Sequence, residues 1–435
     1  MKLSNFKKKF YMMKWAKDLF PFCRSLTGQG NKETFNYIIN NVNKNFKLHY
    51  VRSNTKVFDW KIPQQWEIKN AYIKLPNGEK ICQFKKNNLH IVNYSKPIKK
   101  KLSFNDLKKN LYFIKKKPNA IPYVTSYYKK NWGFCISYNQ FKKLPKNGNY
   151  EVFIDSNIFN GKMGYMDLLI PGKSKKEILI TSYICHPSMA NNELSGPLVV
   201  TNLLNLIRKH TIKKKPNYTY RFLFLPETIG TIALLNQKFE SLKKNSLAVF
   251  VITCVGTEKK FKLIASPYEN TLSEKIAKQV LDKSYNWEKR SFLHRGSDER
   301  QWLSPHVSID CCSIVTSKYG EYKEYHTSKD NLNFISLNGI KRSSYLFFKI
   351  FKNFEKSKFY YNKNIGEPKM DKHGIYPMIS TKKQKSLVKS FMDILSFCNG
   401  KNNEKSIASY ANLSLKKTVN LLKFLEKKKL IKYLK

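Results

Sequence analysis

The 435-residue chain has no Cys-x-x-Cys pair; its eight cysteines are scattered from Cys23 to Cys398. That pattern argues against a disulfide framework or a thiolate metal ribbon and for a reduced protein. No apolar run is long enough to span a bilayer. The first twenty residues, MKLSNFKKKFYMMKWAKDLF, carry charge but lack an uninterrupted apolar stretch and a small-residue cleavage site, so a cytoplasmic location is expected. Arginine is scarce: only eight of the 81 basic residues are Arg. The formal charge of +51 is therefore almost all lysine, spread along the chain with asparagine, isoleucine and phenylalanine. This is the signature of an AT-rich genome more than of a phosphate-reading surface, for which Arg is preferred. Nucleic acid is not an expected partner, although the charge itself adds salt-sensitive attraction to polyanions. Internal repeats and low-complexity linkers are missing too. What is present is 41% hydrophobic and 14% aromatic residues, enough for two or three domains with real cores.

The texture changes twice. Residues 11–45 read as helical, with Phe35, Ile38 and Ile39 spaced for one face. Residues from about 50 to 145 alternate in short runs with a Pro-Asn-Gly turn, which predicts a small β-rich module. From about 147, strands alternate with helices. Ile178–Cys185, Tyr218–Leu225, Ala248–Cys254 and Val307–Val315 read as strands; Ser195–His210, Gly230–Leu242, Asn270–Lys283 and Leu337–Phe354 read as helices. This implies an α/β fold with a mostly parallel sheet flanked by helices. The tail from Tyr376 predicts helix, short helix, Ser414-capped helix and terminal strand, which resembles a winged helix-turn-helix; a DNA-binding role would need a recognition helix, for which Lys416, Lys417 and Asn420 could serve.

Four of the buried strands run into polar, chemically capable residues, and ligands bind where the carboxyl ends of such strands converge. His186 follows ILITSYIC, with Glu193 one loop later. Glu227 follows YRFLFLP, Thr257-Glu258 follows VFVITCV, and His326 comes shortly after VSIDCCSIV. A hydrolytic zinc site needs His, Asp or Glu ligands plus a carboxylate that handles the proton of water. Asp298, in the polar segment Gly296–Trp302, adds an acid that could hold a substrate amine, and Asp330 is placed to support His326. Glu299 and Arg300 read as a surface ion pair, and His294 and His306 as peripheral.

These segments, together with Leu19–Gly28, Thr55–Trp60, Ala120–Tyr128 and the tail, resemble the aminopeptidase-like family related to the M28 zinc peptidases. Members of that family often accompany bacterial surface-polysaccharide gene clusters. The resemblance implies that His186 and His326 correspond to histidine ligands, Glu227 to the general base and Asp298 to the active-site Asp. It also exposes departures. The bridging Asp is replaced by Asn192, followed by Glu193; the ligand acid after the base is Thr228; the Gly-Asp of the next strand end is Gly256-Thr257, with Glu258 one step on. A two-metal carboxylate set is thus incomplete, and one zinc held by His186, His326 and either Glu193 or Glu258, with Glu193 preferred, is the expectation.

The reading is a zinc-dependent hydrolase acting on an amide or peptide bond of a small substrate, with Glu227 and Asp298 catalytic and His186, Glu193 and His326 on the metal. The alternatives are a degenerate binding protein of the same fold or a regulator using the winged helix. Expected domains are 1–52 with 147–370, an insertion at 53–146 and the winged helix at 371–435. The insertion could roof the pocket or mediate dimerisation, so a homo-oligomer is left open.

Overall fold

The computed structural model describes residues 12–268, 270–375 and 382–434. Its main element is an eight-stranded sheet in the order Lys47–Arg52, Lys162–Ile170, Thr219–Leu225, Glu177–Tyr183, Ser246–Val251, Cys311–Val315, Phe261–Ile264, Trp287–Arg290. The four central strands are mutually parallel, and antiparallel partners close them on both sides. Every residue of Glu177–Tyr183 is buried, as a parallel strand covered on both faces must be. The α/β architecture is as expected. The strands Phe261–Ile264 and Trp287–Arg290 are additions that periodicity did not flag: each is four residues long, and WEKR has no apolar alternation to mark it.

Register explains where the site lies. Tyr183 pairs with Leu225, so those two strands end level, and Val251, paired with Thr181, ends its strand two residues earlier on the same side. The strand Glu177–Tyr183 has its successor in sequence on one side and the next one on the other. This is a switch point, where two crossovers leave in opposite directions and open a crevice. His186 follows it directly. Helix Ser195–Thr211 starts tight against the sheet: a Cβ at Gly196 would lie 2.4 Å from the Ile252 carbonyl oxygen, which only glycine avoids. Helix Leu337–Lys356, capped by the Ser336 hydroxyl, packs Ile340, Phe347, Ile350, Phe351 and Phe354 inward.

The expected β-rich insertion is a four-stranded sheet of Lys80–Ile81, Gln65–Lys74, Tyr150–Phe159 and Ile98–Leu102. Tyr150–Phe159 lies past the expected limit at 146 and pairs along most of Gln65–Lys74. The insertion also shares its core with the larger body: Trp66, Ile73, Val152 and Ile154 belong to the same apolar cluster as Leu179, Tyr183, Leu223 and Val249. Its edge strand Ile98–Leu102 exposes Lys99, Lys100 and Lys101. Charge there discourages edge-to-edge pairing, a structural use for part of the lysine excess.

The winged helix comprises Lys382–Phe397, Glu404–Tyr410 and Leu415–Lys427 around a separate core that includes Phe391, Ile394, Ile407, Leu422 and Leu425. Asn403 and Ser414 cap the second and third helices by accepting Ser406 N–H and Lys417 N–H. Strand Ile431–Leu434 pairs with Phe359–Asn362, which lies before the expected start at 371. Tyr376, where the tail was expected to begin, is outside the described residues. The recognition-helix candidates Lys416, Lys417 and Asn420 are all exposed, with Lys417 Nζ reaching Ser390 Oγ at 3.2 Å. Among the described residues no helix is long and apolar enough to cross a membrane.

Candidate active site

His186 is 6% exposed, and each of its ring nitrogens has a distinct neighbour. Nδ1 lies 3.1 Å from Glu193 Oε2 and 3.4 Å from Cys185 Sγ; Nε2 lies 3.9 Å from Glu227 Oε2. Glu193 Oε1 in turn lies 3.2 Å from Nε of Arg24, both side chains being fully buried. Arg24 Nε donates to the His186 carbonyl at 3.1 Å, and Nη1 donates to the Leu19 carbonyl at 2.6 Å. Cys185, His186 and Glu193 have ligand atoms within 4.8 Å of one another and could on residue type hold a metal. The guanidinium already facing Glu193 argues otherwise, because a dication there would sit beside a fixed positive charge. The geometry instead matches a carboxylate that sets the tautomer of a histidine.

His326 is brought to the same place from beyond strand Cys311–Val315, two positions across the sheet. Its ring centroid lies 5.3 Å from that of His186, and its Nε2 is buried with no hydrogen-bond partner among the described residues. The residue adopts a left-handed backbone, φ 53°, which a non-glycine residue holds only when its surroundings impose it. Those surroundings are the insertion. Tyr123 N–H donates to the His326 carbonyl at 2.8 Å, and Ser328 N–H donates to the Ile121 carbonyl at 2.8 Å. The Tyr123 ring stands 5.3 Å from His186 and 5.2 Å from His326. The insertion therefore roofs the site.

Glu227 sits at the start of a tight turn. Ile229 N–H donates to the Glu227 carbonyl at 2.8 Å, with Thr228 between them at φ 66°, ψ −75°. This is a γ-turn of the strained hand, occupied here by a β-branched residue. Two contacts hold it. Thr228 N–H donates to Asp298 Oδ1 at 2.7 Å, and Arg300 Nη2 donates to Thr228 Oγ1 at 3.0 Å. Ser297 Oγ donates to Glu227 Oε1 at 2.6 Å, fixing the carboxyl.

Several expected residues are placed differently. Asp298 is completely buried behind the turn, so it meets the Thr228 amide where a substrate amine was expected. Glu299 also faces inward, accepting Gly296 N–H, Ser297 N–H and the Tyr319 hydroxyl, so it is not the surface partner of Arg300. Glu258 is exposed and accepts from Ser336 Oγ, away from both histidines. Asp330 does not support His326; it accepts Asn191 N–H at 2.7 Å, Asn192 N–H at 2.9 Å and the Tyr322 hydroxyl at 2.7 Å, binding the His326 loop to the Glu193 turn. The three substituted acid positions are engaged as neutral groups: Asn192 Oδ1 accepts from Tyr183, Thr228 Oγ1 from Arg300, and Thr257 Oγ1 bonds Thr316 and Ser317. His294 and His306 are exposed, as expected for peripheral residues.

Burial, reinforced by Arg24, depresses His186 to about 3; burial beside His186 takes His326 to about 3. Both rings are neutral, as metal ligands must be. Burial raises Glu193 to about 8 against the pull of Arg24. Glu227 and Asp298 are raised by burial, Glu227 also by the Asp298 charge. The signs give a testable pH window. The histidines contribute stability above 6.5 that is lost as pH falls. The raised carboxyls contribute stability at low pH that is lost as pH rises through about 8. Between 6.5 and about 8 only the carboxyls act. Chelator-treated protein should therefore show a falling urea midpoint across that window; a flat or rising midpoint would contradict the buried-acid picture.

A cavity of about 290 Å³ opens over His186 and Glu227, lined also by Leu26, Trp60, Tyr127, Tyr128 and Arg300. Residues 13–357 match the family described as a domain of unknown function, DUF4910, and residues 358–433 match a winged helix-turn-helix family. A Clostridium acetobutylicum protein named for polysaccharide biosynthesis and an aminopeptidase-like domain is 40% identical over 364 residues, 83% of this chain and 82% of that one. A crystal structure from the same species, named as a peptidase, is similar with TM-score 0.77 and 36% identity over 97% of this chain and 96% of that chain. A zinc aminopeptidase of Bacillus subtilis shares the fold at TM-score 0.56 and 13% identity, covering 78% of this chain and 92% of its own. With its α/β body, its roofing insertion and its terminal wing, the chain belongs to the DUF4910 family, an aminopeptidase-like fold joined to a winged helix-turn-helix.

Proposed function

We propose that the chain is a single-zinc hydrolase cleaving an amide or peptide bond of a small substrate. The setting is polysaccharide biosynthesis, as the name of the clostridial relative suggests. One observation carries the reading. Two neutral imidazoles 5.3 Å apart, with His186 Nε2 facing the Glu227 carboxyl and His326 Nε2 unpartnered among the described residues, offer donors for one cation. The side chains of Asn192, Thr228 and Thr257 offer nothing for a second. A zinc ion held by His186 and His326 would supply Lewis-acid polarisation of the scissile carbonyl. Glu227, fixed by Ser297, takes and returns the proton of the attacking water. Glu193 orients His186 through Nδ1 and is assigned that role in place of metal ligation. Asp298 holds the γ-turn that aims Glu227, and Tyr123 excludes bulk water from above.

Metal analysis of purified full-length protein tests this. About one zinc per chain is expected, and none in a folded His186→Ala/His326→Ala variant. A folded wild-type chain that stays metal-free after zinc reconstitution would sink the hydrolase reading. The specific observation in favour of a non-catalytic binder, the fixed Arg24 charge beside Glu193, would then prevail.

A further inference from the structure

A free-amine substrate carries an ammonium group, which a cavity meets most strongly with an available carboxylate. This cavity is built the other way. Its charged lining residues are Glu227 and Arg300. Glu227 Oε1 accepts from Ser297, and Oε2 faces His186 Nε2 at 3.9 Å, the place proposed for water activation. Asp298 and Glu299 are 0% and 1% exposed, buried away from the cavity surface; Asp298 Oδ1 accepts the Thr228 amide, and Glu299 Oε1 accepts from Gly296, Ser297 and Tyr319. Arg300 is exposed, and a single bond from Nη2 to Thr228 Oγ1 docks it beside the turn that follows Glu227. A guanidinium has five N–H donors in a planar fork suited to carboxylate or phosphate. The insertion contributes Trp60 and Tyr128 to the lining, ring centroids 5.9 Å apart and 39% and 59% exposed. Exposed aromatics at a cavity wall are surfaces for the apolar body of a ligand.

We infer that this site takes amides bearing an anionic group, a carboxylate or a phosphate, which Arg300 binds while Trp60 and Tyr128 hold the ligand's apolar portion, and that it discriminates against free-amine peptides. The amide part rests on the hydrolase reading. The anion anchor is independent of it and can be tested by binding alone.

The test is titration calorimetry on the full-length chain at one fixed salt concentration, with four probes: N-acetyl-tyrosine, phenyl phosphate, the neutral N-acetyl-tyrosine amide and the cationic tyrosine amide. At least one of the two anions should bind about ten-fold or more tightly than the neutral amide, in both wild-type and Glu227→Gln protein. Whichever anion binds tighter names the group. In Arg300→Gln, whose exposed side chain can be lost without unfolding, the preference should shrink to about two-fold or less, and Arg300→Lys should recover part of it. The inference is overturned if tyrosine amide binds as well as the anions, if neither anion binds, or if the preference survives Arg300→Gln. Survival would assign it to the overall +51 charge, of which Arg300 is one part. Intact anion preference without hydrolysis of any amide would sink the hydrolase reading and leave the anchor standing.

Discussion

Replacing Arg24 with methionine will cost the fold about 3–5 kcal/mol, because it removes the buried partner of Glu193 and of two buried carbonyls and forces Glu193 to stay protonated at still higher pH. Both side chains are fully buried, and the guanidinium also satisfies the carbonyls of Leu19 and His186. Arg24→Met/Glu193→Leu, which removes both charges, should recover more than half of that loss. The same logic predicts that Glu193→Gln, which keeps volume but weakens the grip on His186 Nδ1, lowers zinc affinity about 10- to 100-fold while the chain stays folded. Urea titrations of the two single variants, Arg24→Met and Glu193→Leu, and of their combination, with metal content measured alongside, decide the matter. Additive stability costs would mean that the pair is not coupled and that Arg24 acts through packing alone.

How far the site could be read in advance follows from how local each residue's task is. His186 and Glu227 stand at the ends of apolar strands, and His326 in a short polar cluster, so their positions were legible from the chain. The parallel core was legible for the same reason: ILITSYIC and YRFLFLP are apolar without a break. Arg24 carries no local mark of its role, since its partner carbonyl at His186 is 162 residues away. Glu193 reads from the sequence as a metal ligand, because no pattern indicates which imidazole nitrogen a carboxylate will face. Asp298 and Glu299 look exposed in a run of polar residues; they are buried because backbone amides and the Tyr319 hydroxyl take their oxygens. Glu258 fails for the opposite reason. One residue beyond the buried Thr257, the chain has already reached solvent.

Glu227→Gln should lower turnover of any cleaved amide about 10²- to 10⁴-fold, the range for losing a positioned proton carrier. Metal content should be unchanged, and the Michaelis constant should move little, since the amide of Gln fills the same space. The size of the effect follows from the carboxyl's surroundings. Burial and the neighbouring Asp298 charge raise its proton affinity above that of an ordinary glutamate, which makes it a stronger base than a solvated carboxylate. Asp298→Asn provides the sharper test. It removes the negative charge that lifts Glu227 but leaves an oxygen to accept the Thr228 amide. Glu227 then becomes a weaker base, so the acidic limb of the rate profile should move to lower pH and the plateau rate should fall. A merely structural role for Asp298 would reduce the amount of folded enzyme and leave the position of that limb untouched. A limb that stays in place while Glu227→Gln still abolishes turnover would keep Glu227 as the base and separate Asp298 from its proton affinity.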